Sequence, residues 1–294
     1  MRTDRDYPFF EKEESLDELR DILVTFITYN QDLGYTQGMN DLCAIIYNVL
    51  HGDEAATFWC FANLMERLGA HFHKDQVGMT TTLRALARVL CVVDPELYHY
   101  LGLCCTPHLP VLLSCLTWSL VSHTRLTRTE TVDAANLFFC FRWMLVFFKR
   151  EFSFDSTKRV WEAVLSDYLC PHTELFFACA MVEESRDEIL GKRLHLDELM
   201  LLMNTLAGTR CTTPLVARCD ALFRTFMARA TTDAEIHAYV VHGLHTLSDA
   251  VVLDAERPRP RAASATIPMT RDPAPASPVP APAPAPAPPV YNPH

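Results

Sequence analysis

Asp32-Leu33-Gly34-Tyr35-Thr36-Gln37-Gly38-Met39 sets a polar glutamine in a glycine-flanked turn between two segments with helical hydrophobic spacing. Upstream, Leu16, Leu19, Ile22, Leu23, Phe26 and Ile27 recur at the three- and four-residue intervals of one helix face. Downstream, Met39, Leu42, Ile46, Val49 and Leu50 do the same. Gly34 lets the chain leave the first helix through a left-handed or otherwise strained turn. Gly38 gives the backbone beside Gln37 room for a close approach by a partner. Ser15-Leu16-Asp17-Glu18 matches a capping box, so a helix is predicted over about 16–29. Such a helix is roughly 20 Å long at ~1.5 Å per residue. Residues 3–15, if extended at ~3.3 Å per residue, span roughly 40 Å. They can run back along the helix and set Arg2-Thr3-Asp4-Arg5 beside Gln37, a pairing the geometry permits without requiring.

Further helical patterns follow. Phe58, Phe61, Met65 and Leu68 come after an Asp53 cap, and Leu83, Leu86, Leu90 and Val93 end at Asp94-Pro95. Others fall near 136–148, 158–168, 175–182, 194–206, 214–230 and 233–247. Glycine is scarce, and no series of short alternating segments points to a β-sandwich. The expectation is an all-α domain over about residues 1–250. The end of the chain is different material: 13 of the 19 prolines lie in residues 256–294, with an alternating Ala-Pro run at 280–289. That composition cannot bury enough apolar surface to offset its ordering entropy, so residues 251–294 are expected to be a disordered Pro/Ala-rich tail.

The net charge is −10, with the acidic excess outside the tail, which argues against a nucleic-acid surface. Eleven cysteines lie scattered without CxxC pairs, and many sit within apolar faces. They read as free thiols of a reducing compartment. His71 and His73 follow Cys60 without a second ligand pair, so no metal site is expected. The charged first residues and the lack of a following apolar run make a cytoplasmic protein the expectation. From Leu101 to Val121 there are 21 residues without Asp, Glu, Lys or Arg. Pro107, His108 and Pro110 interrupt this stretch and leave only 11 residues from Val111 to Val121, too few to span a bilayer.

The pieces together resemble the TBC domain, the GTPase-activating module that acts on Rab proteins. The resemblance rests on Arg2-Thr3-Asp4-Arg5 and the Gln37 turn, then Phe58-Trp59-Cys60-Phe61 and Leu137-Phe138-Phe139-Cys140-Phe141-Arg142-Trp143. Phe148-Lys149-Arg150-Glu151-Phe152 and Trp161-Glu162 complete the family order. It implies an all-helical fold and two catalytic fingers, Arg2 and Gln37. Thr3, Asp4, Arg5, Tyr35 and Gly38 then support the fingers or touch the partner. It further implies a Rab-family small GTPase as partner, with peripheral membrane association through that partner. GTP and magnesium belong to the GTPase; no cofactor is expected here, and no G-x-x-x-x-G-K-[ST] phosphate loop occurs. The chain would activate a GTPase in trans rather than act as an independent enzyme. A non-catalytic Rab-binding or scaffold module is the alternative.

Two departures from the family pattern are visible. Only Met1 precedes Arg2, so the Ile and Asp of the family's Ile-x-x-Asp-x-x-Arg motif have no counterpart, and the domain is expected to be incomplete at its N-terminus. The resemblance also lapses over about 102–132, which reads as an insertion. Arg142 lies in a nearly all-apolar run, so a buried ion pair with Asp41 or Glu162 is expected. Lys149-Arg150-Glu151 reads as a solvated helix end.

Overall fold

The computed structural model describes residues 7–102, 137–229, 233–243 and 247. Arg2, Thr3, Asp4 and Arg5, most of the segment 102–132 and the Pro/Ala-rich tail lie outside the described residues.

Every regular element among the described residues is helical. The first helix, α1, runs Glu13–Tyr29 and buries Leu19, Ile22, Leu23 and Phe26, the face its spacing predicts. The predicted capping box does not form. The helix begins two residues before Ser15, at Lys12 as N-cap, and Glu13 and Glu14 occupy its first turn, where negative charge suits the helix dipole. Glu18 instead accepts a hydrogen bond from the Tyr47 hydroxyl of α2 (Met39–Val49). In α3 (Glu54–Leu68), Asp53 caps as predicted, accepting from the Ala56 amide at 2.9 Å. Phe61 of this helix meets Phe26 of α1 edge-to-face, with ring centroids 4.8 Å apart. These three helices pack on one another.

Helix α4 (Val77–Val93) ends at Asp94, whose side chain accepts from the Leu97 amide at 3.1 Å and caps α5 (Pro95–Tyr100). Asp94-Pro95 thus works as both a stop and a start. The predicted helix over 136–148 is largely absent. Phe138–Cys140 is a short 3₁₀ turn, and α6 covers only Phe141–Leu145. Phe147 and Phe148 then adopt left-handed φ values of 47° and 64°. The buried Trp161 indole donates to the Phe147 carbonyl at 2.7 Å and helps hold this turn.

The remaining helices are α7 (Phe154–Leu165), α8 (Thr173–Glu183), α9 (Arg186–Lys192), α10 (Leu196–Thr205), α11 (Thr212–Arg229) and α12 (Ala234–His242). Helix α8 is the centre of the fold. All its residues from Thr173 to Val182 are buried, and it packs against α4, α7 and α11. A helix apolar all round belongs in such a place. Among the described residues, no helix is long and apolar enough to cross a membrane, and the described cysteines are free.

One buried cluster makes stability depend on pH. His71 hydrogen-bonds the Thr82 hydroxyl at 2.9 Å. Burial holds its imidazole below the ordinary histidine range, and His172 adds to this while the Glu174 carboxylate pulls the other way. Glu174 is itself paired with Arg67 and His172, each at 3.0 Å. Because the folded state favours neutral His71, its contribution is complete above the unfolded value of about 6.5. It declines as pH falls from there toward the depressed folded value. Urea denaturation at pH 7.5 and 5.5 should show a smaller pH loss for His71→Gln than for the parent chain.

Candidate functional site

Gln37 is exposed on a turn that leads directly into α2. Backbone bonds fold the turn: the Met39 amide donates to the Thr36 carbonyl at 3.2 Å, and the Asp41 amide to the Gly38 carbonyl at 3.0 Å. The Thr36 amide points at the Met39 sulfur, 3.4 Å away. The Tyr35 hydroxyl donates to Asn40 Oδ1 at 3.3 Å, linking the residues on either side of Gln37. Tyr35 is 48% exposed. Partial burial, and secondarily the Asp41 charge, push its phenol above the usual range, so it stays protonated as a donor.

Glycine relieves backbone strain on both sides of this turn. Gly34 and Gly38 have φ of +63° and +116°, where an L side chain is strained. At Gly38 space is also short: a Cβ would lie 3.0 Å from Val146 Cγ1 and 3.7 Å from Phe72 Cε1. The room that the sequence reading assigns to an approaching partner is filled, on that side, by the protein's own core. Gly38→Ala should therefore displace Gln37 and destabilise the fold by about 1–3 kcal/mol. A urea midpoint within error of the parent would show that the turn tolerates a Cβ.

Beneath the turn lies an ion pair between distant parts of the sequence. Asp41, in the first turn of α2, is buried, and Arg150 donates to its Oδ2 from Nε at 3.1 Å and from a terminal nitrogen at 2.6 Å. This corrects the expected pairing of Arg142. Arg142 binds Glu151 instead, at 2.7 Å, while Glu162 is solvent-exposed. Lys149-Arg150-Glu151 is likewise no solvated helix end, since Lys149 and Glu151 are buried. The left-handed turn at Phe147 and Phe148 reorients the chain, so the positions facing α2 are not those a continuous helix would present.

The described part of the site thus brings together Tyr35, Gln37, Gly38, Asn40, Asp41, Val146 and Arg150. Sequence reasoning picked out the first three and missed the last four as site residues. The Asp41 carboxylate two residues after Gly38-Met39, and an arginine within Phe148-Lys149-Arg150-Glu151-Phe152, were the available signals. Among the described residues no three His, Cys, Asp or Glu side chains converge as a metal site would require.

Residues 1–132 match the Rab-GTPase-TBC domain family. The chain is 33% identical over 229 residues to human TBC1 domain family member 17, an alignment covering 77% of this chain and 31% of that protein. It is 32% identical over 208 residues to GTPase-activating protein GYP7 of Saccharomyces cerevisiae, covering 71% of this chain and 24% of that protein. Fission yeast (Schizosaccharomyces pombe) gyp7 is 31% identical over 240 residues, or 76% of this chain and 28% of that protein. The chain therefore spans between 24% and 31% of the length of these relatives. In fold it is similar to the crystal structure of the Ypt/Rab-GAP domain of Gyp1p, with a TM-score of 0.57 at 18% identity over 78% of this chain and 71% of that one. With its all-helical fold and its glycine-flanked Gln37 turn, the chain belongs to the Rab-GTPase-TBC domain family.

Proposed function

We propose that this domain accelerates GTP hydrolysis by a Rab-family small GTPase, with Arg2 and Gln37 supplied in trans. The observation that carries the proposal is Gln37: a solvent-facing amide on a turn that two positive-φ glycines permit and that contacts to α2 hold. An amide of this kind accepts a hydrogen bond from the attacking water through its oxygen and donates through its nitrogen to a phosphate oxygen. Holding the water in line replaces a bimolecular search by a fixed geometry. The guanidinium of Arg2 serves the second need of the reaction, stabilising charge on the phosphate oxygens as the bond to the leaving group weakens. Its planar fork bonds two oxygens and stays charged at any working pH.

On this reading the nucleotide and magnesium belong to the GTPase, and the TBC domain is consumed by no step of the reaction. It acts in the cytoplasm and reaches a membrane through the Rab. The output is the end of a GTP-dependent signal in membrane traffic. Single-turnover hydrolysis by a panel of purified GTP-loaded Rabs, with and without this chain, tests the proposal. Acceleration of at least one Rab, lost in Arg2→Ala and in Gln37→Ala, supports it. Binding without acceleration would make the chain a docking module.

A further inference from the structure

We infer that Arg150 is a positioning residue for the Gln37 turn, acting through Asp41. The inference rests on the GTPase-activating reading of Gln37 and adds a residue that lies 113 positions away in the chain.

Gln37 does its work only if its amide is held still, yet its own side chain is exposed and its neighbours in sequence are a surface turn. The nearest rigid element is the first turn of α2, entered one residue after Gly38. Asp41 sits in that turn with its carboxylate indoors. A buried carboxylate is stable there only when a cation and hydrogen bonds replace its water. Arg150 supplies both, with two nitrogens on one oxygen. The Asp41 amide meanwhile donates to the Gly38 carbonyl, so fixing Asp41 fixes the peptide beside Gln37.

Arg150 can carry this load because its own backbone is immobilised from several directions. The Phe148 amide donates to the Trp143 carbonyl at 2.8 Å, the Lys149 amide to the Val146 carbonyl at 3.0 Å, and the Glu151 amide to the Phe148 carbonyl at 2.9 Å. From outside this turn, the Gly208 amide donates to the Glu151 carbonyl at 2.8 Å, and Arg142 holds the Glu151 side chain. Val146, in the same turn, fills the space beside Gly38. The segment 142–151 is thus a platform that meets the Gln37 turn and the start of α2 through Val146 and Arg150.

The Arg150 side chain is also 35% exposed, so direct contact with a partner is the competing explanation, and kinetics separate the two. A partner contact sets the concentration of domain needed for half-maximal rate. A positioning residue sets the rate at saturation.

The experiment uses the full chain and a GTP-loaded Rab that it accelerates, comparing Arg150→Ala, Arg150→Lys and the charge-free pair Asp41→Asn/Arg150→Met. Amide hydrogen exchange over residues 36–42 of the free protein is followed in parallel. Arg150→Ala is expected to lower the saturated single-turnover rate by up to about 10²-fold, with an unchanged half-saturating concentration. Arg150→Lys should recover part of the rate, because a lysine restores the charge but not the two-nitrogen contact. Exchange should quicken over 36–42 in Arg150→Ala. If that variant unfolds, the charge-free pair takes its place, with the same expectation. Loss confined to the half-saturating concentration, or an unchanged rate, overturns the inference. If the parent accelerates no Rab, the GTPase-activating reading fails by itself. Exchange then decides the positioning claim: unaltered exchange over 36–42 rejects it, and faster exchange there upholds it.

Discussion

On the proposed mechanism, Gln37→Ala is expected to lower the saturated single-turnover rate of the responsive Rab by about 10²–10³-fold, the usual loss when one preorganised polar group is removed from a transition state. The half-saturating concentration should change little, because an amide aimed at the attacking water gains its value as the reaction proceeds and adds little to docking. Gln37→Asn is the sharper test. It keeps the amide but shortens the arm by one methylene on a turn held by its hydrogen bonds to α2. Displacements of about 1 Å are enough to cost about 10²-fold, so asparagine should rescue poorly. Arg2→Ala should lose more, about 10³-fold or beyond, since an arginine finger meets the larger share of developing charge. The double variant should fall short of the product of the two losses, because the groups act on one transition state. A Gln37→Asn variant with parental rate would show that the amide's position is not critical.

The second large effect concerns stability. Trp143→Ala should destabilise the fold by about 3–5 kcal/mol, read from the urea dependence of unfolding. Trp143 is fully buried, and its ring stands edge-on to Phe139 with centroids 5.9 Å apart. The Arg210 guanidinium lies over the same ring, 5.3 Å from its centroid. Arg210 has a side chain 1% exposed, and its carboxylate neighbour Glu184 stands 3.5 Å away. Burial lowers the pKa of this guanidinium, with Glu184 and Glu151 opposing the shift. The indole face offers negative charge density to a cation that has left water, worth about 2 kcal/mol in a desolvated setting. Removing it leaves a cavity and weakens the setting of Arg210 together. Trp143→Phe keeps a ring beneath the guanidinium and should lose appreciably less. Equal losses for Ala and Phe would mean that neither the ring's volume nor its face beneath the guanidinium, but something particular to the indole, sets the cost.

How far the fold was legible varies with the local physics. Helices α1, α3 and α4 show one apolar face and clear punctuation in Asp53 and Asp94-Pro95, and they lie close to where the spacing puts them. The spacing misleads for α2, which is buried nearly all round. Asn40, Asp41 and Asn48 are inside, while Val49, assigned to the apolar face, is half exposed. Polar residues can be buried there because partners come from elsewhere in the chain, as Arg150 does for Asp41, and no local pattern records that. The run from Phe138 to Phe148 failed for another reason. It is apolar on every side, so periodicity cannot fix its conformation. Two non-glycine residues in left-handed geometry then turn it back, and the partners of Arg142 and Arg150 change accordingly. Gln37 and its glycines were readable because a turn needs particular residue types; the platform beneath them was not.

The tie between Asp41 and Arg150 also bears on how the domain comes into being. Every described side chain of the Gln37 turn lies within residues 1–132, the part matched to the family. Arg150 and Val146 do not. A ribosome that has released the first 132 residues has delivered the motif without its support, and closing so long a loop must wait for the chain that follows. A fragment cut there would carry Gln37 as a string of letters on an unbraced turn. On the GTPase-activating reading, competence would then arrive late in synthesis, so a half-made domain would not discharge GTPases before its fold was complete.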